Sequence, residues 1–224
     1  MKKIKIAIDG PAGAGKSSVS RLVAEKLGYT YVDTGAIYRS LAFFMKENSV
    51  KIGDENEIKR LLRNFAVDFE VKNGLNHVFL NGKDVTSDIR TEEISMNASA
   101  VSALPFVREA LFQMQRKYAD NGGVVMEGRD IATVIMPDAE LKIFLTASPE
   151  NRAKRRKLEL EAKGLKVDFE ELVKEIRERD IKDSTRAVSP LKQAEDAVLF
   201  DNSGINLEQT VDLIVKYAKE REAL

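Results

Sequence analysis

The chain has 224 residues, of which 36 are basic and 36 are acidic, so its formal net charge is zero. A protein whose main partner is a polyanion normally carries a basic excess, so this balance argues against nucleic acid as the principal ligand. The chain contains no cysteine and no apolar run of membrane-spanning length, which excludes disulfides and thiolate metal sites and argues against a membrane protein. We expect one cytoplasmic α/β domain with small appendages.

The first predicted element is a strand over residues 4–8. Residues 10–17 follow it with the sequence Gly-Pro-Ala-Gly-Ala-Gly-Lys-Ser, which is a complete G-x-x-x-x-G-K-[ST] loop. Residues 17–27 have helical spacing, and Gly28 is typical of a helix C-terminus. Strand, glycine loop and helix in this order are the context of a phosphate-binding loop, so we predict that the chain binds a nucleoside triphosphate.

Each part of this loop has a chemical role in such a site. Glycines let the backbone turn its N–H groups inward, and the helix N-terminus adds the positive end of its dipole. We predict that Lys16 reaches the β- and γ-phosphates and that the Ser17 hydroxyl binds Mg²⁺. The predicted ATP-binding residues of the loop are Gly10, Pro11, Ala12, Gly13, Ala14, Gly15, Lys16, Ser17 and Ser18.

The next segments predict a second strand–helix unit and then a change of period. A short strand over 29–32 ends at Asp33, and helical segments follow over 36–46 and 57–64. Residues 66–71 and 77–80 alternate between apolar and polar, and Asn81-Gly82 is a hairpin signal. These features predict a small antiparallel insert over residues 65–90. The only histidine, His77, follows an apparent turn at 73–76, and we expect it to be a solvated loop residue without a metal or acid–base role.

The second half of the chain returns to an α/β pattern. A helix is predicted over 108–117, and the continuous apolar segments 123–127 and 141–145 are typical of parallel strands covered on both faces. Residues 149–186 are helical, highly charged and interrupted at Gly164, with Asp168 and Glu171 as a capping pair for the second helix. A strand over 197–200 and an amphipathic helix end the chain. The pattern predicts a five-stranded parallel sheet flanked by helices, with the β-rich insert and the helical pair as excursions.

Three further segments carry chemistry, and each has a simpler alternative. Arg39 lies one turn into the helix after Asp33, where a solvated helix position is the alternative to phosphate binding. Glu127 ends a buried strand, where α/β sheets place their ligands, and we predict that it orients Mg²⁺-bound water. The charged helical pair is either a solvated surface or a lid that closes on the triphosphate, and it contains six arginines: Arg152, Arg155, Arg156, Arg177, Arg179 and Arg186.

Together these segments resemble the bacterial cytidylate kinase family of nucleoside monophosphate kinases. The matching segments are 9–17, 33–39, 88–91, 107–111, 127–130, 178–180 and 183–186, in register over nearly the whole chain. Thr34 and Ala132 depart from the family pattern, which often has Ser and Gly there. The resemblance implies a P-loop kinase fold with a core (about 1–60, 105–150 and 187–224), a nucleoside-monophosphate-binding insert (about 61–104) and a helical lid (about 151–186).

The resemblance also implies ATP-dependent phosphorylation of CMP and dCMP by a Mg²⁺-requiring monomer. By motif position, the acceptor phosphate is held by Arg39, Arg129 and Arg186, cytosine is read by Ser99, Arg108 and Asp130, and the sugar is contacted by Arg179 and Asp183. Thr34 completes the substrate-binding set, and the loop over 201–204 passes the adenine. The implied catalytic residues are Lys16, Arg129, Arg155, Arg156 and Arg186, with Arg155 and Arg156 also binding ATP. An alternative role for Asp130 is ion pairing with Arg129.

The chemistry of phosphate transfer to a phosphate suits this composition. The acceptor oxygen is largely ionised at neutral pH, because its second pKa is about 6, so the reaction needs no strong general base. A regulatory GTPase would need an Asn-Lys-x-Asp segment, which the sequence lacks. A nucleic-acid-dependent ATPase is disfavoured by the neutral charge, whereas a kinase for another small metabolite stays open from the loop alone.

Overall fold

The computed structural model describes residues 3–72, 75–120, 122–162 and 164–223, and the chain packs as two compact units. The first unit contains Met1–Tyr31 and Ala119–Leu224, and the second contains Val32–Tyr118. In chain order the elements are β1 (Lys5–Asp9), α1 (Lys16–Leu27), β2 (Thr30–Asp33), α2 (Thr34–Glu47), α3 (Glu55–Leu62), β3 (Val67–Lys72), β4 (Leu75–Leu80), β5 (Lys83–Asp84), a 3₁₀ turn (Asp88–Arg90), α4 (Glu92–Val101), α5 (Pro105–Lys117), β6 (Val124–Gly128), a π-helical turn (Ile131–Ile135), β7 (Leu141–Thr146), α6 (Pro149–Glu161), α7 (Phe169–Thr185), β8 (Val198–Asp201) and α8 (Leu207–Glu222).

The predicted five-stranded parallel sheet is confirmed, with the strand order β2-β6-β1-β7-β8. The central strand is β1, in which Ile6 pairs in parallel register with Val125 of β6 on one side and Leu141 of β7 on the other. Strands that are hydrogen-bonded at both edges and covered on both faces carry apolar side chains in both directions, which explains the continuous apolar runs. Because β1 is central, the glycine loop that follows it begins in the middle of the sheet's carboxyl edge.

The core of the first unit lies between this sheet and two helices. Ile4, Ile6 and Ile8 of the β1 region are almost completely buried against apolar residues of α1 and α8. The charged helices α6 and α7 share a smaller apolar cluster of Ala153, Leu160, Leu172 and Val173. As predicted, the Asp168 side chain begins α7 by accepting a hydrogen bond from the Glu171 N–H at 2.9 Å.

The second unit confirms the predicted antiparallel insert. Strands β3, β4 and β5 form a separate sheet, with Val67 opposite Leu80. Asn81 and Gly82 form the two-residue loop between β4 and β5 with φ values of 48° and 83°, as a type I′ hairpin turn requires. The turn predicted at 73–76 includes Asn73 and Gly74, which lie outside the described residues.

Three sequence-based expectations for local structure are corrected. His77 is not a solvated loop residue: it lies in β4, and its Nδ1 is 2.7 Å from the Asp84 carboxylate of the neighbouring strand. Helix α4 was not predicted, although its buried residues Ile94, Ala98 and Val101 have the i, i+4, i+7 spacing of a helix face. Helix α5 begins at Pro105 rather than at Arg108, because proline fits the first position of a helix.

None of the helices within the described ranges is long and apolar enough to span a bilayer.

Gly28 tests how much strain a residue with a side chain would carry in the left-handed conformation at the end of α1. It ends α1 with φ of 65° in open space, so Gly28→Ala should lower the free energy of unfolding by about 1 kcal/mol through strain alone. Gly53 has equally open surroundings without a left-handed φ, so Gly53→Ala is the matched control and should be neutral or slightly stabilising. Urea unfolding of both variants measures the difference, and equal effects would contradict this assignment.

Candidate active site

The glycine loop is shaped by its neighbours as well as by its own sequence. Gly10 has φ of 151°, and a Cβ atom on it would lie 1.9 Å from the Leu145 carbonyl oxygen of β7, so only glycine fits there. Gly13 and Gly15 adopt left-handed φ values of 75° and 87°, and Gly15 immediately precedes α1. The loop therefore leads into the helix through backbone conformations that residues other than glycine rarely adopt.

Lys16 is the first residue of α1 and is only 6% exposed. Its Nζ donates a hydrogen bond to the Pro11 carbonyl oxygen at 2.9 Å, so the side chain folds back over the loop. Burial, and after it the nearby Arg129 cation, lower the pKa of this ammonium group to about 7, although the charges of Glu127, Asp9 and Asp183 oppose the shift. The structure thus gathers these five charged groups around the start of α1.

Two ion pairs connect the segment after β6 with the end of α7. The Arg129 Nε donates to the Asp183 carboxylate at 2.9 Å, and Arg186 Nη2 lies 3.7 Å from Asp130 Oδ1. Burial by itself would raise the pKa of the Asp183 carboxyl group, but Arg129, Arg179 and Arg186 outweigh it and hold the pKa below its usual value. Four predicted substrate-binding residues are therefore held together, with Asp130 facing Arg186 and Arg129 facing Asp183.

Asp9 is a site residue to which the sequence analysis gave no role. Its buried carboxylate accepts hydrogen bonds from the Ile131 and Ala132 N–H groups at 2.9 and 2.7 Å. These N–H groups begin the π-helical turn that follows Asp130, so Asp9 fixes the backbone that carries Asp130. Burial raises the pKa of the Asp9 carboxyl group to about 6, despite the two backbone hydrogen bonds that favour the charged form. The available signal was an aspartate that ends an apolar strand directly before the loop.

Ser17 and Glu127 have the chemistry that the predicted magnesium site requires. The Ser17 side chain is exposed in the first turn of α1, and Glu127 is buried near the end of β6, where it accepts a hydrogen bond from the Tyr31 hydroxyl. Hydroxyl and carboxylate oxygens are hard ligands of the kind Mg²⁺ prefers, and in nucleotide sites this ion keeps several waters and phosphate oxygens. The donor set therefore fits Mg²⁺, although no cluster of three or more histidine or acidic ligands occurs within the described residues.

Arg155 contacts the loop from outside, and Asn202 joins this contact. Arg155 Nη1 donates to the Ala14 carbonyl oxygen at 3.3 Å and to the Asn202 side-chain oxygen at 3.1 Å. The Asn202 amide in turn donates to the same Ala14 oxygen at 3.0 Å. Asn202 is nearly fully buried, which connects the predicted adenine-side loop over 201–204 to the phosphate loop. The sequence analysis noted this loop but did not single out Asn202.

The six arginines of the helical pair do not share one environment. Arg152 is 2% exposed, whereas the Arg156 side chain is 41% exposed and pairs with Glu159 at 3.3 Å. Arg177 pairs with Glu150 at the surface, and Arg179 is exposed on α7. The predicted catalytic role of Arg156 and the predicted lid both remain predictions.

The second unit holds the remaining predicted substrate residues. Asp33 begins α2 by accepting the Ala36 N–H, and its other carboxylate oxygen accepts from Arg39 Nη2 at 2.6 Å. Thr34, the first residue of α2, is buried. A Cβ atom on Gly35 would lie 3.0 Å from Arg39 Nη1, so the absence of a side chain there makes room for the arginine.

Arg108 and Ser99 lie near the end of α4. Arg108 is 8% exposed, and its Nη1 donates to the Ser102 carbonyl oxygen at 3.1 Å. Its guanidinium carbon lies 5.6 Å from the centre of the Tyr38 ring, which is a cation–π distance. Ser99 is half-buried one turn before Ser102, whose hydroxyl donates to the Ser99 carbonyl oxygen.

A parallel sheet with a complete glycine loop at its centre, and with Arg152 and Arg155 held against that loop, is the arrangement of a P-loop kinase. A family model described as cytidylate kinase matches residues 6–220. A cytidylate kinase of Streptococcus suis strain 05ZYH33 is 50% identical over 221 residues, which cover 98% of each chain. The chain therefore belongs to the cytidylate kinase family.

Two further comparisons agree with this assignment. A cytidylate kinase of Carboxydothermus hydrogenoformans is 51% identical over 208 residues, which cover 93% of this chain and 94% of the relative. A crystal structure of an uncharacterized protein from Eubacterium ventriosum ATCC 27560 has a TM-score of 0.54 at 15% identity and covers 98% of this chain and 99% of that chain. At this identity, the structural likeness supports the fold alone.

The raised pKa of Asp9 predicts a specific pH dependence of stability. The folded state holds a proton on Asp9 up to about pH 6, whereas the unfolded state loses it near 3.8, so this group's contribution falls as pH rises through that window. Asp9→Asn removes the titration. The stability of the wild type relative to Asp9→Asn should therefore be greater at pH 4.5 than at pH 7.5 by about 2 kcal/mol, measured by urea unfolding. A constant difference would mean that Asp9 has an ordinary pKa.

Proposed function

We propose that this chain transfers the γ-phosphoryl group of ATP to CMP or dCMP and forms ADP and CDP or dCDP. The observation that carries the proposal is a complete phosphate loop next to the Arg129–Asp183 and Asp130–Arg186 pairs, in a chain that matches the cytidylate kinase family over residues 6–220. A kinase for another small metabolite shares the loop, but the likeness at 50% identity over 98% of the chain favours the cytidine nucleotide.

The donor ATP binds at the loop after β1. The backbone N–H groups of the loop over residues 10–18, except at Pro11, which has none, surround the phosphates. Lys16 leaves the Pro11 carbonyl oxygen to contact the β- and γ-phosphates. The Ser17 hydroxyl and, through water, the Glu127 carboxylate would hold Mg²⁺, which would supply neutralisation of charge on the phosphates. Arg155 is held against the loop at Ala14 and stabilises negative charge on the transferred group.

The acceptor phosphate is bound by arginine side chains rather than activated by a base. Arg39, Arg129 and Arg186 provide planar donors that match phosphate oxygens with paired hydrogen bonds. Asp183 fixes the Arg129 guanidinium group before substrate arrives, and with Arg179 it also contacts the sugar hydroxyls. Because the acceptor oxygen is already largely ionised, in-line positioning and charge neutralisation provide the rate enhancement.

Cytosine is selected by its pattern of hydrogen-bond donors and acceptors. The Asp130 carboxylate accepts from the N4 amino group of cytosine but opposes the carbonyl oxygen of uracil at the same position. Arg108 donates to the N3 acceptor of cytosine, whereas uracil carries a hydrogen at N3, and Ser99 completes this set. Each buried hydrogen-bonding mismatch with uracil costs about 1–3 kcal/mol. Thr34 also lines the substrate position.

Residues 151–186 act as a lid whose closure excludes water, the competing acceptor. In this role Arg156 turns inward from the surface when nucleotide is bound. The loop over 201–204 borders the adenine, consistent with the contact between Asn202 and the phosphate loop. The enzyme acts as a monomer, in the cytoplasm, without a nucleic acid or membrane partner.

A nucleotide panel tests the proposal directly. The purified chain is incubated with ATP and Mg²⁺ and with CMP, dCMP, UMP, AMP or GMP, and ADP formation is measured along with the phosphorylated product. We expect CMP and dCMP to be the preferred acceptors, with activity lost when EDTA removes Mg²⁺. ATP turnover that is independent of any nucleoside monophosphate, or a preference for another acceptor, would contradict the proposal.

Lys16→Ala should lower kcat by at least about 100-fold, because the lysine contacts phosphates that gain charge during transfer. Lys26→Ala is the matched control, since Lys26 lies on the same helix but is exposed and pairs with Asp212 at 2.6 Å. The thermal unfolding midpoint should change little in either variant, because the loop backbone forms without the ammonium group. Near-normal turnover by a folded Lys16→Ala variant would exclude the assigned role.

Asp130→Ala should reduce the ratio of kcat/KM for CMP to that for UMP, chiefly by impairing CMP. The wild type should prefer CMP by tens- to thousands-fold, which corresponds to about 2–4 kcal/mol. Loss of the Asp130–Arg186 pair weakens the acceptor phosphate site for both nucleotides equally, so the ratio isolates base recognition from phosphate binding. An unchanged ratio would leave Asp130 with an ion-pairing role only.

A further inference from the structure

One buried arginine, outside the substrate-binding set, connects the phosphate loop to α7. Arg152 lies in the first turns of α6, and its Nε donates to the Ala147 carbonyl oxygen at 2.9 Å. Its Nη1 donates to the Ala12 carbonyl oxygen of the loop at 2.9 Å and also to Asp180 Oδ1 at the same distance. Its Nη2 donates to Asp180 Oδ2. Three segments of the chain therefore meet at one guanidinium group.

The geometry of this group leaves little freedom to its neighbours. A guanidinium group is planar, and a two-point contact with a carboxylate fixes both the distance and the angle between the partners. The Arg152 side chain is only 3% exposed, although that of Asp180 is 28% exposed, so the guanidinium group itself is shielded from water. The aliphatic part of the Arg152 side chain also packs against the loop, since a Cβ atom on Gly13 would lie 3.3 Å from Arg152 Cβ. Arg152 thus packs directly against the outer side of the loop.

Asp180 transmits this contact to α7. It follows Arg179 directly and lies three residues before Asp183, whose carboxylate accepts from Arg129. The helix is consequently held at two points, to the phosphate loop through Asp180 and to the segment after β6 through Asp183. The residues that the proposed function assigns to the sugar and to the acceptor phosphate, Arg179, Asp183 and Arg186, are all on α7 or directly after it.

We propose that Arg152 and Asp180 are positioning residues that set α7 relative to the phosphate loop, so that acceptor and donor phosphates are aligned for transfer. The inference rests on the proposed function, since it assigns acceptor contacts to α7. A displacement of about 1 Å between reacting groups is enough to reduce a rate by about 100-fold. The pair therefore acts on the transfer step while making no contact with the reacting atoms.

A second ion pair between the same two helices provides a matched control. Glu150 of α6 accepts from Arg177 of α7 at 2.6 Å, and both side chains are about half exposed. This pair spans 27 residues in sequence, against 28 for Arg152 and Asp180, and it has the same type of charges. It lies at the surface, where screening by water weakens it. If linking α6 to α7 were all that mattered, the two pairs would be equivalent.

The test compares the wild type with Asp180→Asn, Asp180→Glu, Arg152→Lys and Glu150→Gln in initial-rate assays with ATP, Mg²⁺ and CMP. All variants are assayed at a temperature where circular dichroism reports the folded state. We expect Asp180→Asn to lower kcat by about 20-fold or more, with the KM for ATP within about twofold, because Arg152 keeps its hydrogen bonds to Ala12 and Ala147. Arg152→Lys should lower kcat at least as much, Asp180→Glu should retain an intermediate kcat, and Glu150→Gln should stay within about twofold of the wild type.

Two results would overturn the inference. One is full kcat in folded Asp180→Asn, since a purely structural pair affects the folded fraction and not the rate per folded molecule. The other is an equal loss of kcat in Glu150→Gln. If Asp180→Asn does not fold, Asp180→Glu decides the question by the same comparison of kcat with the KM for ATP. A wild type that fails to phosphorylate CMP contradicts the proposed function itself, and the wild-type assay alone identifies that outcome.

Discussion

Cations crowded around the phosphate loop repel one another, and this structure offsets that repulsion with nearby carboxylates. Lys16 and Arg129 repel each other, and burial disfavours the charged form of Lys16 further. Asp183, Glu127 and Asp9 supply the opposing charge. Under the proposed function, a nucleotide would replace these carboxylates as the partner of cations that are already in place.

The carboxylates come from distant parts of the chain, and the sheet topology is what brings them together. Asp9 ends β1, Glu127 lies near the end of the adjacent β6, and parallel strands present these ends at the same edge of the sheet. Asp183 arrives from α7. Buried ion pairs contribute little net stability, because desolvation of two charges offsets their attraction. Asp183 instead fixes the orientation of the Arg129 guanidinium group, from which it accepts a hydrogen bond.

Local sequence was sufficient for features that depend on neighbouring residues. The glycine loop, the Gly28 helix end, the Asn81-Gly82 hairpin and the Asp168 cap are each determined within a few positions, and the structure confirms them. The resemblance to a family supplied the substrate residues as a set. It did not supply their partners: Arg129 pairs with Asp183, which lies 54 residues further along the chain.

The remaining features depend on contacts that no local pattern contains. Arg152 and Arg177 look alike in a charged helical segment, yet one is buried against the loop and the other is at the surface. The π-helical turn at Ile131–Ile135 forms where the Asp9 carboxylate meets two N–H groups 122 and 123 residues away. The aspartate at the end of β1 does not by itself indicate that its partners are the N–H groups of Ile131 and Ala132.

The environment of Lys16 has a consequence for the thermodynamics of nucleotide binding. With a pKa of about 7, a substantial fraction of the free protein carries an uncharged amine at this position near neutral pH. Triphosphate adjacent to the side chain favours the ammonium form and raises that pKa, so binding takes up part of a proton from the solution. The measured heat of binding will therefore vary with the ionisation enthalpy of the buffer, and affinity will weaken as the pH rises above 7.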